Sequence, residues 1–174
     1  SHSSMRHFTP GWHRNMSDEI LMKLADNKGV IMINFGSDFL LRDSALSKKV
    51  VDGKVRKWVM SLPKSEKARG EEYVKSLEKD YKESIWSSIY RYADVLDVAD
   101  HIDYVVDLVG VDYVAFGSDF DGVGDSLPTR IKDASMYPNL IYVLLERGYS
   151  VKDIKKMCSG NLLRVWNAVV DVAE

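Results

Sequence analysis

Apolar residues along this chain recur first at helical spacing and then in continuous runs, and the two patterns alternate. Ile20, Leu21, Leu24 and Ala25 form an apolar stripe behind Ser17, a good N-cap, with Asp18 and Glu19 in the first turn and Gly29 as the stop. This predicts a helix of about three turns. It leads directly into Val30 to Phe35, a β-branched and apolar run that suits a strand covered on both faces. The same order returns later. Val98, Ile102, Val105, Val106 and Val109 sit at helical spacing, Gly110 ends the helix, and Tyr113 to Phe116 reads as a second buried strand. Helix followed by buried strand, twice over, predicts an α/β fold with a parallel sheet.

Between these units, from about 40 to 96, the pattern becomes far richer in charge. Acids and bases alternate from Lys64 to Glu83, with Tyr73, Val74, Leu77 and Tyr81 at helical spacing, as expected of an amphipathic surface helix inserted into the domain. Trp58, Trp86 and Tyr90 are expected as its packing anchors. The end of the chain is helical. Pro138 opens one helix that Gly148 closes, Ser150 and Asp153 stand at capping-box spacing, and Leu162, Leu163, Val165, Trp166, Val169 and Val170 are expected to form the buried face of the last helix.

Composition narrows the classes of function. With 174 residues, 45% hydrophobic and 29% charged, and a formal net charge of -2, the chain is sized for one soluble core and carries no basic stripe suited to nucleic acid. Its longest apolar runs, 30–34 and 141–145, fall short of the roughly 18 to 20 residues that cross a bilayer. No targeting signal is legible, which favours a cytoplasmic location as the working expectation. The single cysteine, Cys158, rules out an internal disulfide and is expected to be a buried structural thiol.

Chemistry in parallel α/β sheets collects at the carboxyl ends of strands. Three stretches qualify: 1–4, 34–37 and 117–122. Small residues and glycines around Asp119 let the chain turn sharply and leave that carboxylate over the sheet edge, while Asp121 suits the turn itself. His2 lies in the first stretch. His7 and His13 share a loop with Arg6, Pro10 and Trp12, where substrate contact is conceivable, and His101, flanked by Asp100 and Asp103, reads as a surface or partly packed residue.

Seven ordered stretches now add up to a resemblance: Ser1 to Ser4; Arg14-Asn15 with Ser17-Asp18-Glu19; 30–35; Val98 to Asp103; Gly117 to Gly122; Tyr137 to Leu140; and Gly160 to Val165. In this order they resemble the C-terminal motifs of the membrane (renal) dipeptidase family, over nearly the whole chain apart from about 40–96. The resemblance implies about the last three βα units of a metal-dependent hydrolase (β/α)8 TIM barrel, which typically takes about 250 residues, together with zinc-dependent hydrolysis of dipeptides. It implies that His2 matches a zinc ligand, that Arg14 matches the arginine holding the substrate's terminal carboxylate, that Phe39 takes an aromatic contact position often occupied by tyrosine, and that Asp119 is the catalytic aspartate. The family site holds two zinc ions, and the implied reaction is attack by a zinc-bridging hydroxide on the scissile carbonyl. No segment matches the family's histidine-x-aspartate pair, bridging glutamate or two further histidines, so one zinc ligand, His2, is expected where zinc needs three or four. The chain alone is then expected to be inactive, and its expected partners are a dipeptide substrate and either further copies of itself in a homo-oligomer or the missing N-terminal part. A non-catalytic barrel module is the alternative reading, as is another metal-dependent amidohydrolase with no need of Arg14.

Overall fold

The computed structural model describes residues 2–173. Contacts divide the chain into two compact units, residues 1–42 with 92–174, and residues 43–91.

The first unit is built on a parallel sheet of three strands among the described residues, β1 (His2–Ser3), β2 (Ile31–Asn34) and β3 (Val114–Ser118), in that spatial order. His2 pairs with Met32, Ser3 with Ile33, and Ile31 with Val114, and the β2–β3 register slips between Ile33 and Asn34. Gly117 sits beside this slip. A Cβ there would lie 2.7 Å from the Met32 carbonyl oxygen, so no side chain fits. Helix α1 (Asp18–Asp26) precedes β2 and is capped by Ser17, whose hydroxyl accepts from the Ile20 N–H at 3.4 Å. Leu21 is its fully buried residue, whereas Ile20 is exposed.

After β2 a single turn, α2 (Ser37–Leu40), leads into α3 (Arg42–Ser61). Helix α6 (Val95–Val109) opens on a capping box in which Asp94 and Asp97 satisfy each other's backbone N–H groups, and it ends at Gly110 with φ of +99°. Its Val95, Val98, Ala99, Ile102 and Val105 are all fully buried and join Ile33, Phe35, Leu140 and Leu144 in one apolar core. Helices α7 (Tyr137–Glu146), α8 (Val151–Lys155) and α9 (Asn161–Ala173) follow β3, and a wide π turn over Lys156–Gly160 joins the last two. The Asn161 side-chain amide donates to the carbonyls of Val111 and Val114 at 2.8 Å each, tying the start of α9 to the entry of β3.

The second unit is helical: α3 from residue 43 onward, a turn α4 (Lys64–Lys67), and α5 (Glu71–Ile89). No described residue of α5 is buried, and Tyr73, Val74, Leu77 and Tyr81 form the half-buried stripe expected of a surface helix. Trp58 and Tyr81 stack with centroids 4.4 Å apart, and Trp86 and Tyr90 at 4.2 Å. None of the described helices is long and apolar enough to cross a membrane.

Three expectations fail. Helix α9 exposes its apolar residues, with Leu163 54%, Trp166 64% and Val169 63% accessible, because the helix meets the core mainly through its first turn and through Arg164, whose guanidinium donates to the carbonyls of Lys28, Gly29 and Asp112. Cys158 is exposed, since the π turn directs it outward while its neighbour Met157 takes the buried position. His101 is buried, because it falls on the same helical face as Val98, Ile102 and Val105.

Candidate functional site

The side chains of His2, Asn34 and Asp119, one from each strand or its end, meet around a single carboxylate oxygen. Asn34 ends β2 and Asp119 immediately follows β3, so both lie at the carboxyl end of the sheet. His2 Nε2 stands 3.4 Å from Asp119 Oδ2. The Asn34 amide nitrogen donates to the same oxygen at 2.8 Å, while its Oδ1 accepts from the Gly36 N–H at 2.7 Å, which fixes which end of the amide faces the carboxylate. Ser4 Oγ donates to the Asn34 carbonyl at 3.0 Å, linking the segment after β1 to the end of β2.

The backbone under Asp119 is unusual. Ser118 and Asp119 have φ of +40° and +67°, a left-handed pair that costs on the order of 1–3 kcal/mol per residue and persists where surrounding structure holds it. The turn closes through the Gly122 N–H donating to the Asp119 carbonyl at 3.1 Å, and Asp121 lies within it, exposed. A Cβ on Gly122 would come within 2.0 Å of Asp119 Oδ1, so glycine leaves the space that the carboxylate occupies.

Arg14 and Phe39 form the other part of the site. Arg14 is exposed on the loop before α1, with its guanidinium carbon 5.7 Å from the Phe39 ring centre, and the Trp12 ring meets Phe39 edge-on at 5.9 Å. His13, next to Arg14, is exposed, and His7 stacks on Tyr104 at 4.4 Å. The loop is anchored by the buried Asn15. Its Oδ1 accepts from the Ser4 N–H at 3.3 Å, and its amide nitrogen donates to Thr9 Oγ1 at 2.6 Å and to the Phe39 carbonyl at 2.7 Å.

His101 makes a parallel connection one residue along. Its Nδ1 accepts from the Met5 N–H at 2.9 Å, which leaves the proton on Nε2 to be donated to the Leu40 carbonyl at 3.0 Å. Burial, the largest influence, holds its pKa down to about 4, so the ring is neutral at ordinary pH.

The sequence offered His2 and Asp119 as candidates at strand ends, and the structure brings them to 3.4 Å. Asn34 was offered only within the stretch 34–37, His101 was read as a surface or partly packed residue, and Asn15 was given no role of its own. A polar residue ending an otherwise apolar buried strand was the available signal for Asn34, and helical spacing from Val98 and Val105 was the signal for His101. His2 and Asp119 offer two metal donors, and no group of three or more His, Cys, Asp or Glu suited to a metal ion occurs among the described residues.

A helix-flanked parallel sheet with polar side chains gathered at the strand ends defines an α/β protein of the kind that places its chemistry on loops. The family model described as membrane dipeptidase (peptidase family M19) matches residues 1–174, and the chain belongs to that family. Dipeptidase aclJ of Aspergillus oryzae is 49% identical over 81 residues, covering 47% of this chain and 19% of that protein. Dipeptidase 3 of Mus musculus is 39% identical over 83 residues, covering 48% of this chain and 17% of its own length. Among solved structures, the probable dipeptidase PvdM from Pseudomonas aeruginosa superposes with a TM-score of 0.69 at 25% identity, over 95% of this chain and 43% of that one. A metallo peptidase from Rhodobacter sphaeroides, liganded with a phosphinate mimic of L-Ala-D-Ala, shares the fold with a TM-score of 0.60 at 23% identity, over 92% of this chain and 33% of its own. Each match spans less than half of the other protein's length.

Proposed function

We propose that this chain forms part of a metal-dependent dipeptidase site carried on the last three strands of a (β/α)8 barrel. The observation that carries the reading is the meeting of an imidazole and a carboxylate 3.4 Å apart, His2 on β1 and Asp119 just after β3, on either side of the central strand β2, with Arg14 exposed beside an aromatic ring. Family membership and the superposition on dipeptidase structures support it.

The side chains divide the work. Arg14 presents a planar fork of donors matched to the terminal carboxylate of a dipeptide, and the Phe39 ring supports that guanidinium from one face. Asp119 is the proton carrier. It takes a proton from the attacking water and returns it to the amine that leaves when the peptide bond breaks. Asn34 donates to Oδ2 throughout, so the proton travels on the remaining lone pairs of Asp119. The imidazole of His2 is a nitrogen donor of the kind zinc takes, and zinc is the ion proposed for this site. Two donors are fewer than the three or four that zinc needs. The described residues therefore do not hold the ion alone, and the steps assigned here belong to side chains only.

The test joins this chain to the remaining strands of a solved family member, then measures zinc content and hydrolysis of a simple dipeptide. Zinc retention with turnover that disappears in Asp119→Asn supports the reading, and a zinc-holding protein indifferent to Asp119→Asn sinks it. Arg14→Ala separates a peptidase from other amidohydrolases, since a dipeptidase shows a raised KM and an enzyme of lactones or cyclic amides shows none.

A further inference from the structure

Two buried side chains do the same thing one residue apart. Asn15 accepts from the Ser4 N–H and donates to the Phe39 carbonyl, while His101 accepts from the Met5 N–H and donates to the Leu40 carbonyl. Consecutive N–H groups after β1 are thereby bridged to consecutive carbonyls after β2 by two rungs that come from different places, the loop before α1 and the middle of α6. Neither rung is exchangeable with water, because Asn15 and His101 are only 1% exposed each.

The rungs connect the two parts of the site. The Ser4–Met5 segment follows His2 after one intervening residue, Ser3, and its Ser4 hydroxyl also holds the end of β2 that carries Asn34. The carbonyls at the other end belong to Phe39, whose ring lies under Arg14, and to its neighbour Leu40. Asn15 is bonded to Arg14 along the chain, and Ser3 Oγ donates to the Arg14 carbonyl at 2.9 Å. We infer that Asn15 and His101 are positioning residues that set the distance and orientation of the Arg14–Phe39 grip relative to the His2–Asp119 pair, and so select ligands whose free carboxylate lies at a dipeptide's length from the scissile bond. This rests on the dipeptide reading above and adds the groups that set its spacing.

An amide at 15 is needed in one orientation only, acceptor toward Ser4 and donor toward Phe39. Asn15→Asp keeps the acceptor and turns the donor into a carboxylate oxygen facing a carbonyl, a repulsive contact. The Phe39 end of the rung is broken with almost no change in volume.

The experiment measures, by calorimetry, the affinity of a phosphinate dipeptide mimic and of its C-terminal amide, on the barrel used above, for wild type, Asn15→Asp, Arg14→Ala and the double variant. The expected result is a loss of about tenfold or more for the acid in Asn15→Asp, little change for the amide, and no further loss when Asn15→Asp is added to Arg14→Ala. Equal losses for acid and amide, or a loss that adds fully to that of Arg14→Ala, would mean that Asn15 merely supports the fold and would overturn the inference. Unchanged affinity overturns it as well. His101→Gln, which keeps a donor toward Leu40 and gives up the acceptor for Met5, repeats the test from the other rung should Asn15→Asp fail to fold. A wild-type protein that binds acid and amide equally refutes the carboxylate grip itself, and with it the spacing device. Discrimination in wild type without an effect of either rung refutes the device alone.

Discussion

The two units of this chain are held together by different physics. In the sheet unit, helix α6 sends five apolar side chains to complete burial and caps itself with reciprocal aspartates, so its position is set by close packing. In the helical unit, α5 buries none of its described residues, and what fastens it is flat aromatic contact, Trp58 on Tyr81 and Trp86 on Tyr90, with exposed ion pairs along its surface such as Lys75–Glu71. Every residue of the candidate site lies in the first unit. Groups that must hold a fixed geometry sit where neighbours over-determine them, and the second unit is free to tolerate change.

Substitutions should widen that contrast in a graded way. The largest effect is expected from Ile102→Ala, which opens a cavity at a fully buried α6 position and should cost about 2–5 kcal/mol in urea unfolding. Acid should come next. His101 must stay neutral to accept from Met5, and its folded pKa of about 4 lies below the ordinary 6.5. Its stabilising contribution is therefore complete above about pH 6.5, falls as pH drops from there to about 4, and loses nothing further below, for a total of about 3 kcal/mol. Unfolding midpoints followed across that range should show the decline in wild type, and a flat profile in His101→Gln would confirm its source. Wild-type stability unchanged between pH 6.5 and 4 would contradict it. In the helical unit Trp58→Ala removes a stacked pair at a half-buried position and should cost only about 1 kcal/mol. Lys75→Met, on an exposed pair, should leave the unfolding midpoint where it was. A Trp58 effect as large as that of Ile102 would erase the distinction between the units.

What the sequence disclosed follows the same line. Strand β2, the Gly110 stop, the Ser150–Asp153 capping box and the surface character of α5 were legible because each depends on residues close together in the chain. Helix α9 was placed correctly but its burial was not. Amphipathic spacing says which face would be covered and says nothing about what lies opposite it. His101 was misjudged from its acidic neighbours, although its spacing on α6 pointed inward. In the site, His2 and Asp119 stood out as strand-end candidates, and the roles expected of them came from the family resemblance. The bonds of Asn15 and Asn34 were not legible, because they run to the Ser4 N–H, the Phe39 carbonyl and the Asp119 carboxylate, 11 to 85 residues distant, which no local pattern carries.

The left-handed pair Ser118 and Asp119 has a consequence for protein engineering. A screen that selects only for heat resistance should find its easiest gain at this corner, because glycine adopts that backbone without penalty. At 118 the exchange relieves a conformation and leaves the carboxylate in place. At 119 the same exchange also removes the carboxylate to which the buried Asn34 amide donates, so the relief is offset there, and melting temperature would separate two adjacent positions that their backbone alone makes alike.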